Sequence, residues 1–179
     1  MNSTTQTPLF SCRYDSPVGD LSIVGSDRGL VALLWPGEIR IPLPGVATRV
    51  DRASHPILAS TCQQLDEYFA GERTSFDVPL SPSGTEFQLD AWQALRAIPY
   101  GETRSYAEQA NTIGRPKAVR AVGAANGRNP ISIIVPCHRV IGSNGSLTGF
   151  GGGLDAKTFL LEHERRVSGN PSGPASLFD

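Results

Sequence analysis

The residues Ser81-Pro82-Ser83-Gly84 separate two stretches whose apolar side chains follow different periods, and that change limits which folds the chain can adopt. Before it, the apolar-rich runs 9–14, 20–24 and 30–35 alternate with Ser16-Pro17-Val18-Gly19 and Ser26-Asp27-Arg28-Gly29. Turn residues at that spacing predict an antiparallel meander. Residues 36–56 hold four prolines and read as an irregular connection. Ile57, Leu58, Cys62, Leu65 and Phe69 then recur at helical spacing, with Gly71 placed to cap the helix C-terminus. After residue 84 the pattern turns helical. Thr85 and Gln88 form a capping box ahead of Phe87, Ala91, Leu95 and Ile98 on one face. Ser105 and Glu108 form a second box for a short helix that Gly114 closes, and Pro116 fits the first position of a third, running to about residue 127. The expectation is an α+β chain: a strand-and-helix unit over residues 1–84, a mostly helical unit over 85–166, and a disordered Ser/Gly/Pro-rich tail over 167–179.

Composition narrows the function classes. The net charge is −1 and the chain carries 18% charged residues, which excludes a polybasic or polyacidic tail as its main device. No apolar run approaches the roughly 18–20 residues that span a bilayer, so no membrane role is expected. Residues 1–8 lack the basic start and apolar centre of a secretory signal. Three cysteines, at 12, 62 and 137, show no metal or redox spacing, and a reducing, cytoplasmic location is expected. No metal is expected either, because Cys12, Cys62 and His55 form no recognised ligand pattern.

The charge is unevenly spread. Residues 1–84 carry six Lys and Arg against nine Asp and Glu, whereas 85–166 carry ten against seven. Arg104, Arg115, Lys117, Arg120, Arg128 and Arg139 fall within 104–139, opposed there only by Glu108. A phosphate-binding face needs such an excess, although a mixed solvated surface also produces one. The two short helices joined at Gly114-Arg115 make a helix-turn-helix pattern, which can be structural or DNA-binding. The second contains Ala118, Ala121, Gly123, Ala124 and Ala125, leaving Arg120 as its one long side chain. It lacks the polar side chains that read base edges in the major groove, so it suits sequence-independent docking or tight internal packing.

Residues 131–135 are apolar except for Ser132 and predict a buried strand that Pro136 stops. Cys137 and His138 follow. A cysteine here is ordinarily a small buried hydrophobe, and neighbouring side chains in a strand point to opposite faces. A turn after Pro136 would let the imidazole help the thiol ionise, directly or through a water. That histidine needs an orienting acceptor. Asp155 fits a helix N-cap, with Leu154 and Phe159 as a hydrophobic staple. Glu162 and Glu164 project differently from the helix it opens, and their spacing alone leaves the choice between them open.

Ile134-Val135-Pro136-Cys137-His138-Arg139-Val140-Ile141 resembles the active-site signature of the O6-alkylguanine-DNA alkyltransferases, the methylated-DNA–protein-cysteine methyltransferases. Pro99-Tyr100-Gly101-Glu102-Thr103-Arg104-Ser105-Tyr106 is similar to that family's entry to its helix-turn-helix. Arg120-Ala121-Val122-Gly123 resembles its recognition helix, and Asn129-Pro130 the hinge after it. Gly151-Gly152-Gly153 and Leu160-Leu161-Glu162-His163-Glu164 resemble its binding-site loop and last helix. In the first unit the likeness is looser, carried by the strand layout and Gln64-Leu65-Asp66-Glu67-Tyr68-Phe69-Ala70-Gly71.

The resemblance implies a small ribonuclease-H-like α/β domain followed by a winged helix-turn-helix-like domain. It implies that Cys137 takes the alkyl group, that His138 is its base through a water, and that Glu164 orients His138. Arg120 would enter double-stranded DNA through the minor groove and fill the space of a flipped nucleotide. Ala121, Gly123 and Ala125 would form the docking surface of its helix. Tyr106 would press on the neighbouring phosphate and donate to the guanine ring, and Asn129 would brace the helix against the active-site turn. The backbones of Cys137, Val140 and Gly151 would hold the extruded O6-alkylguanine, with O4-alkylthymine as a further substrate. An alkyl carbon cannot be attacked inside the base stack, which makes flipping necessary. The thioether product has no acyl bond for water to cut, so the protein would act once, as a monomer and without a cofactor. Phe150 and Gly151 stand where many or some relatives carry Tyr and Ser, changes at the pocket edge that bear on which alkyl groups fit. The alternative is a non-enzymatic binder of alkylated DNA, a kind of relative that lacks the cysteine.

Overall fold

The computed structural model describes residues 7–38 and 41–170. β1 (Leu9–Ser16), β2 (Gly19–Ser26) and β3 (Gly29–Leu34) form the expected antiparallel meander. A short β4 (Ala47–Arg49) adds to β1 in parallel, giving the order β3-β2-β1-β4. It lies within the stretch expected to be irregular; three residues are too few to show a period. α1 (Pro56–Ala70) packs on one face of the sheet. Pro56 sits in its first turn, where a missing N–H costs nothing. Gly71 ends it at φ 78°, with its N–H bonded to the carbonyls of Glu67 and Tyr68.

Both capping boxes are present. Thr85 opens α2 (Glu86–Arg96), and Ser105 opens α3 (Tyr106–Thr112). α4 is Val119–Asn126 and α5 is Gly153–Ser168. Four local expectations need correction. Pro116 does not begin α4; it lies in a turn closed by Ala118 N–H on the Arg115 carbonyl, 2.8 Å, and the helix starts three residues later. Asp155 is not the cap of α5. Gly152 holds that position, Asp155 falls in the first turn where its charge suits the helix dipole, and Leu154 is exposed rather than stapled. α5 also runs two residues into the stretch assigned to the tail; residues 171–179 lie outside the described residues.

The fourth correction concerns residues 131–135. They are buried as expected, yet only Ile131 makes a β-bridge, to Leu33. The rest folds into tight turns, with Ile134 N–H on the Ser132 carbonyl and Val135 N–H on the Ile131 carbonyl, each 2.9 Å. Ile133 is fully buried at φ 72°, a left-handed conformation that costs a β-branched residue about 1–3 kcal/mol. Surrounding packing holds this turn in place. One apolar cluster runs through both units, joining Ile23, Leu33 and Leu65 to Leu95, Ile131 and Leu160. A two-residue parallel ladder, β5 (Arg104–Ser105) with β6 (Val140–Ile141), ties the start of the helix-turn-helix to the segment after Cys137.

Candidate active site

Cys137, His138 and Arg139 form a single 3-10 turn after Pro136. The strand geometry that would separate the thiol from the imidazole is therefore absent. Cys137 is 7% exposed. Asn129 holds the turn from behind. Its Nδ2 donates to the Val135 carbonyl at 2.7 Å and to Cys137 Sγ at 3.2 Å, while its Oδ1 accepts from Ile131 N–H at 3.0 Å. Burial pushes the Cys137 thiol up, opposed by the Asn129 amide and by the charge of Lys157.

His138 is fully buried, and its Nε2 lies 2.7 Å from Glu164 Oε1. Glu164 also accepts from Tyr68 Oη (2.8 Å), from Gly101 N–H (3.1 Å) and from Arg139 Nε and Nη2 (2.8 and 3.0 Å). Burial opposes its charge, but His138 and Arg139 beside it hold the carboxyl well below the usual carboxylate range. Burial also keeps His138 below its ordinary value, against the pull of Glu164. Burial thus favours the neutral imidazole over the imidazolium. With Nε2–H donated to the carboxylate, Nδ1 is left as the acceptor, and that buried atom bonds to no group among the described residues. An imidazole whose Nε2 is held by a carboxylate and whose Nδ1 is left to accept has the chemistry of a base.

Lys157 completes the surroundings. It is wholly buried on α5 and donates to the carbonyls of Val140 (2.6 Å) and Thr148 (3.0 Å), with its Nζ 5.9 Å from the Tyr106 ring centre. Burial brings its ammonium down to about 8. A cavity of about 360 Å³ opens beside it, lined by Tyr106, Val119, Gly123, Gly127 and the loop 148–151.

The comparisons with known proteins agree with one another. Residues 11–82 match the 6-O-methylguanine DNA methyltransferase ribonuclease-like domain, and residues 86–166 match the DNA binding domain of the same family. The chain is 53% identical to a methylated-DNA–protein-cysteine methyltransferase of Mycolicibacterium paratuberculosis, covering 91% of this chain and 93% of that one. It is 51% identical to one from Methanosarcina acetivorans, covering 87% and 98%. The chain belongs to this family. Mycobacterium tuberculosis OGT in complex with DNA, a solved structure 47% identical, superposes with a TM-score of 0.80 over 96% of this chain and 99% of that one. The methyltransferase fold expected from the sequence, ribonuclease-like α/β followed by a helical DNA-binding domain, holds.

The methyltransferase motifs converge in space. Asn129, Cys137, His138 and Glu164 form two adjoining hydrogen-bonded pairs: Asn129 holds the thiol and Glu164 holds the imidazole of the next residue. Arg120 and Ala121 are exposed on α4, and Gly123 is half-buried beside the Tyr106 ring. Ala125 does not belong to a docking surface: it is buried against α2, and its carbonyl accepts from Trp92 Nε1 at 2.9 Å. Tyr106 Oη donates to the Thr148 carbonyl at 3.2 Å, so reaching a base requires that bond to break. Val140 N–H is bonded to the Cys137 carbonyl and its own carbonyl to Lys157, while Gly151 lines the cavity. Arg139 is no part of a basic surface; it is buried on Glu164, and Arg104 pairs with Glu102, 2.8 Å. Arg115, Lys117, Arg120 and Arg128 remain exposed.

The sequence reading missed Lys157 and Tyr68. A signal existed for Lys157: positions 157, 160, 161 and 164 share one helical face with two leucines, which also favours Glu164 over Glu162. Glu162 is exposed. Cys12 and Cys62 are both buried, with Sγ atoms 3.9 Å apart between β1 and α1. Among the described residues no group of three or more His, Cys, Asp or Glu is placed to hold a metal, and no helix is long and apolar enough to cross a membrane.

Proposed function

We propose that this chain repairs double-stranded DNA by moving the alkyl group of O6-alkylguanine onto Cys137, once per molecule. The observation that carries the reading is the thiol held by Asn129 beside a buried His138–Glu164 pair, next to a cavity that opens on the α4 face. His138 Nδ1 takes the thiol proton, through a water, and Glu164 stabilises the resulting imidazolium. Sγ attacks the alkyl carbon; the S–C bond forms as the C–O6 bond breaks, and guanine leaves with a hydrogen bond from Tyr106 on its ring. Water does not cut the carbon–sulfur bond of the thioether, so Cys137 does not regenerate. O4-alkylthymine presents a comparable alkyl–oxygen bond and is a second substrate of the same site.

Docking uses the minor groove. α4 presents small residues, which let its backbone approach the DNA, and Arg120 fills the stack from which the nucleotide has left. The exposed Arg115, Lys117 and Arg128 contact phosphates, which makes binding salt-dependent and largely indifferent to sequence. The protein acts as a monomer. Cys137→Ser separates this reading from a binder of alkylated DNA: transfer to the protein is expected to vanish while the affinity for an O6-methylguanine duplex stays within about threefold, as removal of one sulfur leaves the phosphate contacts intact. Transfer persisting in that variant would refute Cys137 as the acceptor.

A further inference from the structure

The wall of the thiol site that faces the first unit carries one aromatic side chain, Trp35, beside Leu33, Leu34, Glu38 and Ile41. Trp35 follows β3 and is 6% exposed. Its Nε1 donates to Ser132 Oγ at 3.1 Å, in the turn that precedes Cys137. Its ring lies against the glycines of the binding loop. A Cβ on Gly152 would come within 2.6 Å of the indole, and one on Gly151 within 3.2 Å. Its edge meets Phe150, with ring centres 5.4 Å apart. Trp35 is therefore fixed to both segments that flank the thiol.

Beside Cys137 the free space is small. A crevice of about 10 Å³ is bordered by Trp35, Asn129, Ser132, Cys137, Gly127 and Gly151. That volume admits roughly one water-sized group. Gly127 and Gly151 also line the 360 Å³ cavity, so the two spaces adjoin at these glycines. A guanine in the larger space would direct its O6 substituent through that junction toward Sγ. Consecutive glycines ordinarily leave room for a bulky substituent. Here the indole already occupies that room.

Building on the alkyl-transfer reading, we propose that Trp35 sets the upper size of the alkyl group this protein accepts, favouring methyl and excluding substituents the size of benzyl. The first unit then has a part in the reaction: it supplies the steric limit of a site whose chemistry lies in the second. The indole can act this way because a side chain anchored at both ends cannot swing aside without losing its Ser132 hydrogen bond and its contact with the loop.

The test compares single-turnover transfer from duplexes carrying either O6-methylguanine or O6-benzylguanine, using full-length wild type, Trp35→Leu and Trp35→Phe. The active fraction of each preparation is fixed first by titration with the methylated duplex, so partial unfolding cancels from the ratio of rates. Wild type should transfer methyl at least about tenfold faster than benzyl, in line with what steric discrimination in a packed pocket supplies. Trp35→Leu should raise the benzyl-to-methyl ratio by about tenfold or more, with Trp35→Phe between the two. A ratio that stays constant while both rates fall would make Trp35 a purely structural residue and overturn the proposal, as would a wild type that takes benzyl as fast as methyl. A wild type that transfers neither group would refute the alkyl-transfer reading itself, which is a separate failure.

Discussion

The two sides of the thiol crevice come from opposite units and are built by different means. On one side, residues 129–139 fold into consecutive tight turns, where Asn129 and the backbone satisfy one another over a few residues. On the other, Trp35 reaches over from the end of a strand and contributes a flat apolar face and one indole N–H. The turn side fixes protonation and aims the sulfur. The indole side only excludes volume. Polar atoms that must meet within a few tenths of an ångström are easiest to hold on a short stretch of chain, whereas a wall tolerates long-range packing.

The same contrast ranks the substitutions. Glu164→Gln keeps the shape of the side chain but leaves Arg139 and His138 facing no charge. Transfer is expected to fall by about 10³-fold or more, by the same logic as the buried acid behind a catalytic histidine. Stability should drop by about 3–5 kcal/mol because Arg139 stays buried without its partner. A stopped assay together with a thermal melt reads both, and a loss under about tenfold would break the contrast. Arg120→Ala should slow transfer from a duplex by about 10–100-fold while leaving reaction with free O6-methylguanine within about threefold, since the arginine acts on the flipped helix and not on the sulfur. Equal losses on both substrates would make Arg120 a structural residue. The mildest change is Tyr68→Phe, which removes one of five donors to Glu164 and comes from the first unit. One hydrogen bond to a charged group predicts a loss of about 1.5–3 kcal/mol at most, divided between stability and rate. An effect as large as that of Glu164→Gln would move the first unit into the proton chemistry.

What could be read from the sequence follows the same division. The capping boxes at Thr85 and Ser105, the αL glycine after α1 and the meander of β1–β3 are encoded within a few residues of where they act, and each is found in place. The cluster of Asn129, Cys137 and His138 lies within ten residues, and its motif pointed to the family. Residues 131–135 misled because an apolar run looks alike whether it extends or turns; the decisive feature, Ile133 in a left-handed conformation, is imposed by packing and contradicts local preference. Tyr68, Lys157 and Trp35 act across 96, 17 and 97 residues of chain. A tyrosine or lysine on an amphipathic helix carries no mark of the partner it will meet at that distance. Ala125 shows the converse: a small residue in a docking helix faces inward as readily as outward, and only the packing of α2 decides.

The most direct measurement is the intact mass of the protein after incubation with excess duplex carrying one O6-methylguanine, followed by peptide mapping. The account predicts a gain of one methyl group, located on Cys137, with no further gain however long the incubation. An unchanged mass with the duplex still bound, or a methyl group mapped to Cys12 or Cys62, would contradict it.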